Sequence, residues 1–225
     1  APARDHAQAL GAIADALLAE DPSIAGKVAA VGHRLVHGGA DFTEPTVLDT
    51  QALTRLREVT RLAPLHLPPA LQVIDACAAL LPGIPALGVF DTAFFHALPA
   101  TARDYAVPAE WTRALGLRRY GFHGIAHRDM WDCAQRVLGP GARRVISFQL
   151  GNGCSAAAVL DGVPRDTSMG YTPLEGLVMG TRSGDLDPGI LLHLLSEHHY
   201  DPAALGELVN RHAGLLGVSG ITGDM

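Results

Sequence analysis

Residues 166–188 read DTSMGYTPLEGLVMGTRSGDLDP, and the character of the chain is clearest in this stretch. Its glycines recur every four to six residues, so neither a long helix nor a long strand can run through it. Between them lie hydroxyl side chains, acids and a single base, Arg182. Glycines let the backbone approach a ligand closely, and hydroxyl groups and a guanidinium donate hydrogen bonds. This combination suits an anion with several oxygen atoms. Composition alone explains the stretch equally well as an irregular surface loop of turn residues.

The residues before this stretch have the pattern of three β-strands joined by tight turns. Apolar and β-branched runs predict strands at residues 143–150, 154–160 and 163–167. The dipeptide Asp161-Gly162 is a hairpin signal. The Gly-Asn-Gly turn at 151–153 can bring backbone N–H groups to face a phosphate. We therefore expect a strand meander with an anion-binding turn immediately ahead of residues 166–188.

Helix signals lie on both sides of this meander. Residues 128–138 read as a helix that Gly139-Pro140 ends. Downstream, Asp187-Pro188 and Asp201-Pro202 predict the starts of helices that run to about His199 and His212.

The first part of the chain alternates helical and extended patterns. Predicted helices cover residues 4–20, 50–59 with Asp49 or Thr50 as N-cap, and 68–81 starting at Pro68-Pro69. Predicted strands cover residues 27–31 and 86–90, and Asp91 follows the second. A carboxylate at the C-terminal end of a strand in an α/β sheet lies where ligands bind. The alternative for Asp91 is a residue that caps a turn.

Composition excludes several classes of protein. The 225 residues are 48% hydrophobic and carry a formal net charge of -6, which argues against nucleic-acid or anionic-membrane partners. We find no apolar run of bilayer length and no signal peptide, because the first helix has charges inside it. Cys77, Cys133 and Cys154 lack metal or redox spacing, which fits a reducing cytoplasm. We interpret Cys154 as a buried structural cysteine rather than a nucleophile.

Histidine is abundant, with eleven residues, but no set combines metal-ligand spacing with a third ligand. His33 and His37 are four residues apart, yet the surrounding glycines disfavour a helix and no HExxH motif is present. Arg34 between them presents a planar fork that fits a carboxylate, and a structural ion pair is the alternative. We therefore assign no metal ligand among the residues of this chain.

Seven segments, in order, resemble the signature motifs of the acetate kinase family, which belongs to the superfamily of sugar kinases, heat-shock ATPases and actin. The matching segments are GHRLVHGG (32–39), APLH (63–66), FDTAF (90–94), YGFHG (120–124), LGNG (150–153), residues 166–188 and GLLGVSG (214–220). The resemblance extends from about Val31 to Met225. It implies an α/β fold with duplicated actin-like, ribonuclease H-like domains around a cleft.

The resemblance also implies how the chain is divided. Residues 1–92 would form the rear part of an N-terminal acyl-substrate domain, and residues 93–225 the front part of a C-terminal nucleotide-binding domain. The family begins with a further strand and a loop carrying Asn, Ser and Lys, and it continues past residue 225. We therefore expect the chain to be incomplete at both ends, with most magnesium ligands and the adenosine-binding loops outside it.

The implied activity is reversible phosphoryl transfer from ATP to acetate, or to another short-chain carboxylate such as propionate, giving an acyl phosphate and ADP. The resemblance implies catalytic roles for Asp91, His123 and Arg182. It implies substrate contacts that comprise the carboxylate-binding Arg34, His66 near the acyl phosphate, and a methyl pocket of Val36, Leu65, Phe122 and Pro173. It implies a nucleotide-binding turn of Gln149, Leu150, Gly151, Asn152 and Gly153. Mg²⁺, a cytoplasmic location and a homodimer are implied in the same way.

The chain departs from the family pattern at several positions. Leu67 replaces an Asn after His66. Phe95 replaces a His, and in this chain a histidine, His96, follows at the next position. Ile125-Ala126 replaces Thr-Ser, which removes two possible hydroxyl contacts near His123. Gln149 replaces a His, which puts the identity of the phosphoryl donor in question. Two alternatives remain open: a nucleotide- or carboxylate-binding fragment that does not turn over, and a metal-dependent hydrolase built on the histidine pairs.

Overall fold

The computed structural model describes residues 5–224. The chain divides into two compact units, Ala1–Ala93 and Phe94–Met225. Each unit contains one three-stranded sheet with helices, so the prediction of a mixed α/β class is confirmed.

The first unit is built around a short mixed sheet. Its elements are α1 (His6–Glu20), β1 (Val31–Leu35), β2 (Thr46–Val47), α2 (Thr50–Val59), α3 (Leu67–Leu80) and β3 (Ala86–Phe90). Strand β3 lies in the centre, parallel to β1 and antiparallel to β2. The parallel register pairs Leu35 with Phe90, so the C-terminal ends of β1 and β3 lie side by side.

Local signals in the sequence explain these elements. The Asp49 carboxylate accepts a hydrogen bond from the Ala52 N–H at 2.7 Å, which caps α2 as predicted. Prolines lie in the first turn of α3, where no N–H is needed. Apolar side chains from β1, β3, α2 and α3 then form a core in which the Phe42 and Phe90 rings stack at 4.7 Å. This core fixes the end of β3, and with it the position of Asp91.

The second unit contains an antiparallel meander and several helices. Its elements are α4 (Ala100–Arg103), α5 (Ala109–Leu115), α6 (Gly124–Leu138), β4 (Arg144–Leu150), β5 (Cys154–Leu160), β6 (Val163–Thr167), α7 (Pro188–Ser196), α8 (Pro202–Glu207) and α9 (Gly214–Ser219). The sheet order β4-β5-β6 confirms the predicted meander. Helix α6 packs on this sheet, and Phe95, Leu98 and Ala157 form a buried cluster.

Residues 168–187 form neither helix nor strand, as their glycines predict. The segment is held by hydrogen bonds from the rest of the unit. Arg119 donates to the carbonyls of Thr167 and Ser168 at 3.2 Å and forms an ion pair with Glu175 at 2.7 Å. Tyr105 also donates to Glu175. The segment is therefore irregular in backbone but fixed in place.

Several predicted boundaries are wrong, each for a local reason. Residues 24–27 form a 3₁₀ turn, and β1 starts only at Val31, where pairing with β3 begins. Helix α6 starts at Gly124 rather than 128, because the left-handed backbone of His123 turns the chain into the helix. Helix α7 ends at Ser196, before the left-handed His199. Helix α8 ends at Glu207, where the chain widens into a π-helical turn.

Within residues 5–224, no helix combines the length and the apolar character that crossing a membrane requires.

Candidate functional site

In the first unit, the predicted site residues Arg34 and Asp91 form an ion pair. Nε and Nη2 of Arg34 donate to the two Asp91 carboxylate oxygens, at 3.2 and 2.6 Å. The Asp91 side chain is 1% exposed, whereas that of Arg34 is 65% exposed. The hydrogen bond with Asp91 raises the pKa of the Arg34 guanidinium. The structural ion pair considered for Arg34 therefore exists, and Asp91 orients the guanidinium.

This ion pair uses only one side of the Arg34 fork. A guanidinium carries five N–H groups, and Asp91 takes the pair formed by Nε and Nη2. The remaining hydrogens on Nη1 and Nη2 form a second, end-on fork. Because the side chain is largely exposed, this second fork can donate two hydrogen bonds to another planar carboxylate.

The glycine turn after β1 is tied to the end of β3. The Gly38 N–H donates to the Thr92 hydroxyl at 2.9 Å, and the Gly39 N–H donates to Nδ1 of His37 at 2.9 Å. Burial lowers the pKa of His37 to about 4, so its ring is neutral and accepts at Nδ1. Burial also lowers the pKa of His33. The His37 ring, by accepting from Gly39, supports the glycine turn after β1.

The other predicted substrate contacts of this unit lie on two segments. Val36 is half-buried and follows β1 directly, two residues after Arg34. Leu65 and His66 are exposed in the turn that leads into α3, where His66 is the N-cap residue. Their contribution to a pocket stays a prediction.

In the second unit, His123, Arg182 and the Gly-Asn-Gly turn come together. A Cβ atom built on Gly153 would lie 3.3 Å from Nη1 of Arg182 and 3.8 Å from Nε2 of His123. The absence of a side chain at Gly153 therefore leaves open the space that both groups border. The Gly180 N–H donates to the Asn152 carbonyl at 3.1 Å, which joins the turn to the segment that carries Arg182.

Arg182 is half-buried and, among residues 5–224, forms no ion pair. Its Nη1 donates to the Pro173 carbonyl at 3.2 Å and lies 3.8 Å from the Met179 sulfur. Burial lowers the pKa of its guanidinium. A charge removed from water without a counter-charge is costly, so this site favours an anion.

The carboxylates that follow Arg182 in the sequence have other roles. Asp185 accepts a hydrogen bond from the Gly176 N–H at 2.8 Å, and Asp187 caps α7 by accepting from the Gly189 N–H at 2.8 Å. Within the described residues, neither forms a salt bridge with Arg182.

The predicted nucleotide-binding residues follow one another along the end of β4 and the turn to β5. Gln149 is half-buried and pairs with Ser155 across the sheet, and Leu150 is exposed at the end of the strand. The Gly151 N–H donates to the Gly153 carbonyl at 3.1 Å, which closes the turn around Asn152. Their contact with a nucleotide stays a prediction.

His123 is connected to the core of this unit by a chain of hydrogen bonds. Its Nδ1 lies 2.9 Å from Oγ of Ser155, which lies 2.8 Å from Nε2 of His127. Nδ1 of His127 in turn lies 2.7 Å from Oγ of Ser147. Ser147, His127 and Ser155 are buried. The hydroxyl contact expected to be missing near His123, because of Ile125-Ala126, is thus supplied by the sheet.

The sequence interpretation missed these supporting residues. Ser147 and Ser155 are polar residues at buried positions of β4 and β5, so the alternation of buried positions along the strands was the signal that could have found them. Arg119, Glu175 and Tyr105, which hold the glycine-rich segment, were missed because no local pattern connects them.

Three further expectations concern side chains around this site. Phe122 is buried and Pro173 is half-buried, and the Pro173 carbonyl accepts a hydrogen bond from Arg182. Their contribution to a methyl pocket stays a prediction. Cys154 is half-buried rather than buried, because it opens β5 next to the turn. Burial raises the pKa of its thiol, which disfavours the reactive thiolate.

Within residues 5–224, no group of three or more His, Cys, Asp or Glu side chains is arranged to hold a metal ion. No described cluster therefore supports the metal-dependent hydrolase.

Comparison with known proteins gives a consistent result. The model of the acetokinase family matches residues 1–225. The acetate kinase of Clavibacter michiganensis subsp. michiganensis is 48% identical over 227 residues, with 100% of this chain and 57% of that protein covered. The acetate kinase of Finegoldia magna is 44% identical over 226 residues, covering 99% of this chain and 58% of that protein.

Solved structures show the same likeness. A propionate kinase from Francisella tularensis subsp. tularensis superposes with a TM-score of 0.92 at 38% identity, covering 97% of this chain and 56% of that chain. Porphyromonas gingivalis acetate kinase superposes with a TM-score of 0.89 at 42% identity, covering 98% and 56%. The chain thus has the fold of this part of those kinases, and it spans less than three fifths of the length of these relatives.

Proposed function

Since this chain belongs to the acetokinase family, we propose that it acts in phosphoryl transfer between ATP and a short-chain carboxylate, forming an acyl phosphate. One observation carries the proposal. The half-buried Arg182 guanidinium has no carboxylate partner among the described residues, and it borders the same open space over Gly153 as Nε2 of His123. A group with several anionic oxygens is the ligand that this arrangement favours.

The chemistry agrees with the residues. A carboxylate is already anionic and needs no strong base in order to attack phosphorus. Catalysis then rests on positioning and on neutralising the charge that spreads over three equatorial oxygens. The two terminal nitrogens of Arg182 can meet two of those oxygens with parallel hydrogen bonds, and His123 can donate to a third from Nε2. These two side chains are the catalytic residues of the proposal.

In the first unit, Arg34 holds the substrate carboxylate with its end-on fork while Asp91 holds Arg34 from the side. No proton has to move in the reaction. We therefore assign Asp91 a positioning role rather than an acid–base role, supported by its two hydrogen bonds to Arg34. In this proposal residues 1–92 serve the acyl substrate and residues 93–225 serve the nucleotide.

The donor is ATP in this proposal, with the 149–153 turn at its phosphates. The glycines of the turn support this assignment, because they leave the backbone accessible. Because Gln149 replaces the family's His at this turn, pyrophosphate is the alternative donor to compare with ATP. Rates with ATP, GTP and pyrophosphate at equal concentration decide the question. A clear preference for pyrophosphate would contradict the nucleotide assignment.

Magnesium is implied by the family. Within residues 5–224, no group of three or more His, Cys, Asp or Glu side chains is arranged to hold a metal ion. Both carboxylate oxygens of the buried Asp91 accept hydrogen bonds from Arg34. The proposed steps use side chains of this chain.

The family relationship also supports a choice of acyl group, location and assembly. Relatives are named both acetate kinase and propionate kinase, so acetate and propionate are the substrates to compare. We further propose a cytoplasmic homodimer without nucleic-acid or membrane partners. The acidic net charge of -6 supports the last point, and sedimentation velocity tests the dimer.

The direct test is acyl phosphate formation. The protein is incubated with ATP and acetate, the acyl phosphate is trapped with hydroxylamine, and ADP is measured in parallel. Equal amounts of both products are expected, with a large loss in the Arg182→Ala variant. ATP binding without either product would favour the fragment that does not turn over. The same assay on a longer chain of the same protein then separates a missing segment from a wrong function.

A further inference from the structure

We infer that Ser147, His127 and Ser155 are positioning residues that set the direction of the hydrogen bonds to His123, so that its Nε2 carries the proton and donates to the bound group. The catalytic consequence rests on the proposed function, whereas the tautomer itself can be measured without any activity. The inference starts from the unbroken chain of 2.9, 2.8 and 2.7 Å contacts that links the four side chains.

The first step is the charge of His127. Its ring is fully buried, and burial, followed by the nearby His123, lowers its pKa to about 4. At neutral pH His127 is therefore uncharged and carries one N–H. One of its ring nitrogens must donate and the other must accept. The Ser155 hydroxyl could accept from both rings, but its own proton would then have no acceptor among the described residues. The arrangements in which Ser155 is satisfied therefore run in one common direction.

Two directions are possible. In the outward direction, Ser147 donates to Nδ1 of His127, Nε2–H of His127 donates to Ser155, and Ser155 donates to Nδ1 of His123. The His123 proton then lies on Nε2, which faces Gly153. In the inward direction every bond is reversed, and His123 donates from Nδ1 to Ser155.

The two directions differ in what happens to the Ser147 hydroxyl. In the outward direction, each hydroxyl and N–H of the buried part of the chain has an acceptor. In the inward direction, Ser147 accepts from His127, and its own proton has no other acceptor among the described residues. A buried unsatisfied donor disfavours a state by on the order of tenfold to a hundredfold. The outward direction is therefore the one that the fold supports.

The geometry of the site makes this direction useful. Nε2 of His123 and Nη1 of Arg182 border the same space over Gly153. With the outward direction, both present N–H donors to that space. With the inward direction and a neutral ring, Nε2 would present a lone pair to the oxygens of a phosphoryl group, which repels them.

The tautomer is measured on the full chain, labelled with ¹⁵N at histidine, by two-bond ¹⁵N–¹H correlation at a pH where the rings are neutral. The His123 signals are assigned by their loss in the His123→Gln variant. We expect the pattern of a ring protonated at Nε2. A pattern of protonation at Nδ1 in the wild-type protein would overturn the inference, whatever the activity.

Three variants test whether the chain sets the tautomer. Ser155→Ala removes the hydroxyl that contacts His123. Ser147→Ala removes the hydroxyl at the other end of the chain, which contacts His127 and not His123. Both are expected to give a mixed tautomer at His123. Thr167→Val is the matched control, because it removes another buried hydroxyl of the same sheet, which donates to the Ala156 carbonyl. It should leave the tautomer unchanged. An unchanged tautomer in Ser155→Ala would overturn the positioning role.

Kinetics add a second readout. Ser155→Ala should lower kcat by about tenfold, with KM for acetate and ATP within about twofold, because donation to the transferring group is weakened. Ser155→Thr, which keeps the hydroxyl, should recover the tautomer and most of the kcat. If the tautomer behaves as expected but no acyl phosphate forms in any variant, the inference stands and the proposed function fails.

Discussion

Arg34 and Arg182 are two arginines with opposite electrostatic surroundings. Arg34, in the first unit, is largely exposed and paired with the buried Asp91. Arg182, in the second unit, is half-buried and has no carboxylate partner within residues 5–224. The first charge is already balanced within the protein, whereas the second is held only by a carbonyl and a thioether. The same side chain is thus used in two different ways.

The difference indicates which arginine affects binding and which affects rate. A guanidinium held by a carboxylate keeps its orientation, and a second carboxylate can join it at modest gain. In the proposed reaction charge is redistributed over the three equatorial oxygens of the transferring group, and a partly desolvated guanidinium that meets these oxygens best in the transition state raises the rate. We therefore expect Arg34 to determine substrate affinity and Arg182 to determine kcat.

The largest effect is expected from Arg182→Lys. Lysine keeps the charge but cannot form the planar fork, so kcat should fall by about 10³-fold. KM values and the melting temperature should change little. Steady-state kinetics and thermal unfolding on the same preparation check this. A variant that unfolds several degrees earlier and keeps a near-normal kcat would make Arg182 structural.

Acid should destabilise both units through their buried histidines. The pKa values of His37 and His127 are lowered from 6.5 to about 4. Between these values the unfolded chain binds protons that the folded chain does not, so the free energy of unfolding falls as pH falls. Each histidine accounts for at most about 3 kcal/mol. Urea unfolding between pH 7 and pH 4 measures how far the free energy of unfolding falls. In the His127→Gln variant this fall should be smaller by the contribution of one histidine. An unchanged dependence of the free energy of unfolding on pH in this variant would contradict the assignment.

Arg34→Ala should raise KM for acetate by about 10- to 100-fold, because acetate binding loses the free energy of its hydrogen bonds to a charged group. KM for ATP should stay nearly constant. The melting temperature should also fall, because the buried Asp91 carboxylate loses its partner. Asp91→Asn is the matched variant, since it keeps an acceptor for Arg34 and should have a smaller effect on KM. Equal changes in the KM of acetate and ATP would contradict a substrate-binding role.

Gly153→Ala should lower kcat by about tenfold, because its Cβ would lie 3.3 Å from Nη1 of Arg182 and fill the space that the two donors border. Gly141→Ala is the matched control, because Gly141 lies outside the turn and its Cβ would have no atom within 4 Å. Comparable losses in both variants would show that the open space over Gly153 does not matter.

The smallest effect is expected at Val36. If it borders the acyl pocket, Val36→Ala should shift the ratio of kcat/KM values from acetate toward propionate or butyrate by about 1–3 kcal/mol at most. Val47→Ala makes the same change on an exposed strand of the same unit and should leave the ratio unchanged. An unchanged ratio in Val36→Ala would remove this residue from the pocket.

Sequence reasoning succeeded where the cause is local. The caps at Asp49 and Asp187, the turn at Asp161-Gly162 and the alternation of β4 and β5 each depend on neighbours in the chain. The start of β1 was wrong because it depends on the register with β3, some fifty-five residues later. Sequence could not give that register.

The same distinction applies to the candidate site. Motif resemblance gave His123 and Arg182 as separate residues, and the structure brings both to Gly153. It predicted neither the hydrogen bonds from Arg34 to Asp91 nor the serine hydroxyls that contact His123 and His127. Those contacts join residues 20 to 57 positions apart in the chain, and they depend on strand pairing and on how α6 packs. Such contacts produce no regular spacing of residue types that could be recognised in the sequence.

The left-handed backbone of His123 has a consequence for how this position can evolve. With φ at 58°, it adopts a conformation that costs a residue with a Cβ atom about 1–3 kcal/mol and costs glycine nothing. In a library randomised at position 123 and selected only for folding, glycine and asparagine should therefore accumulate. Selection for growth that requires the enzyme should retain histidine. The stability ranking and the fitness ranking of amino acids at this position would then run in opposite order.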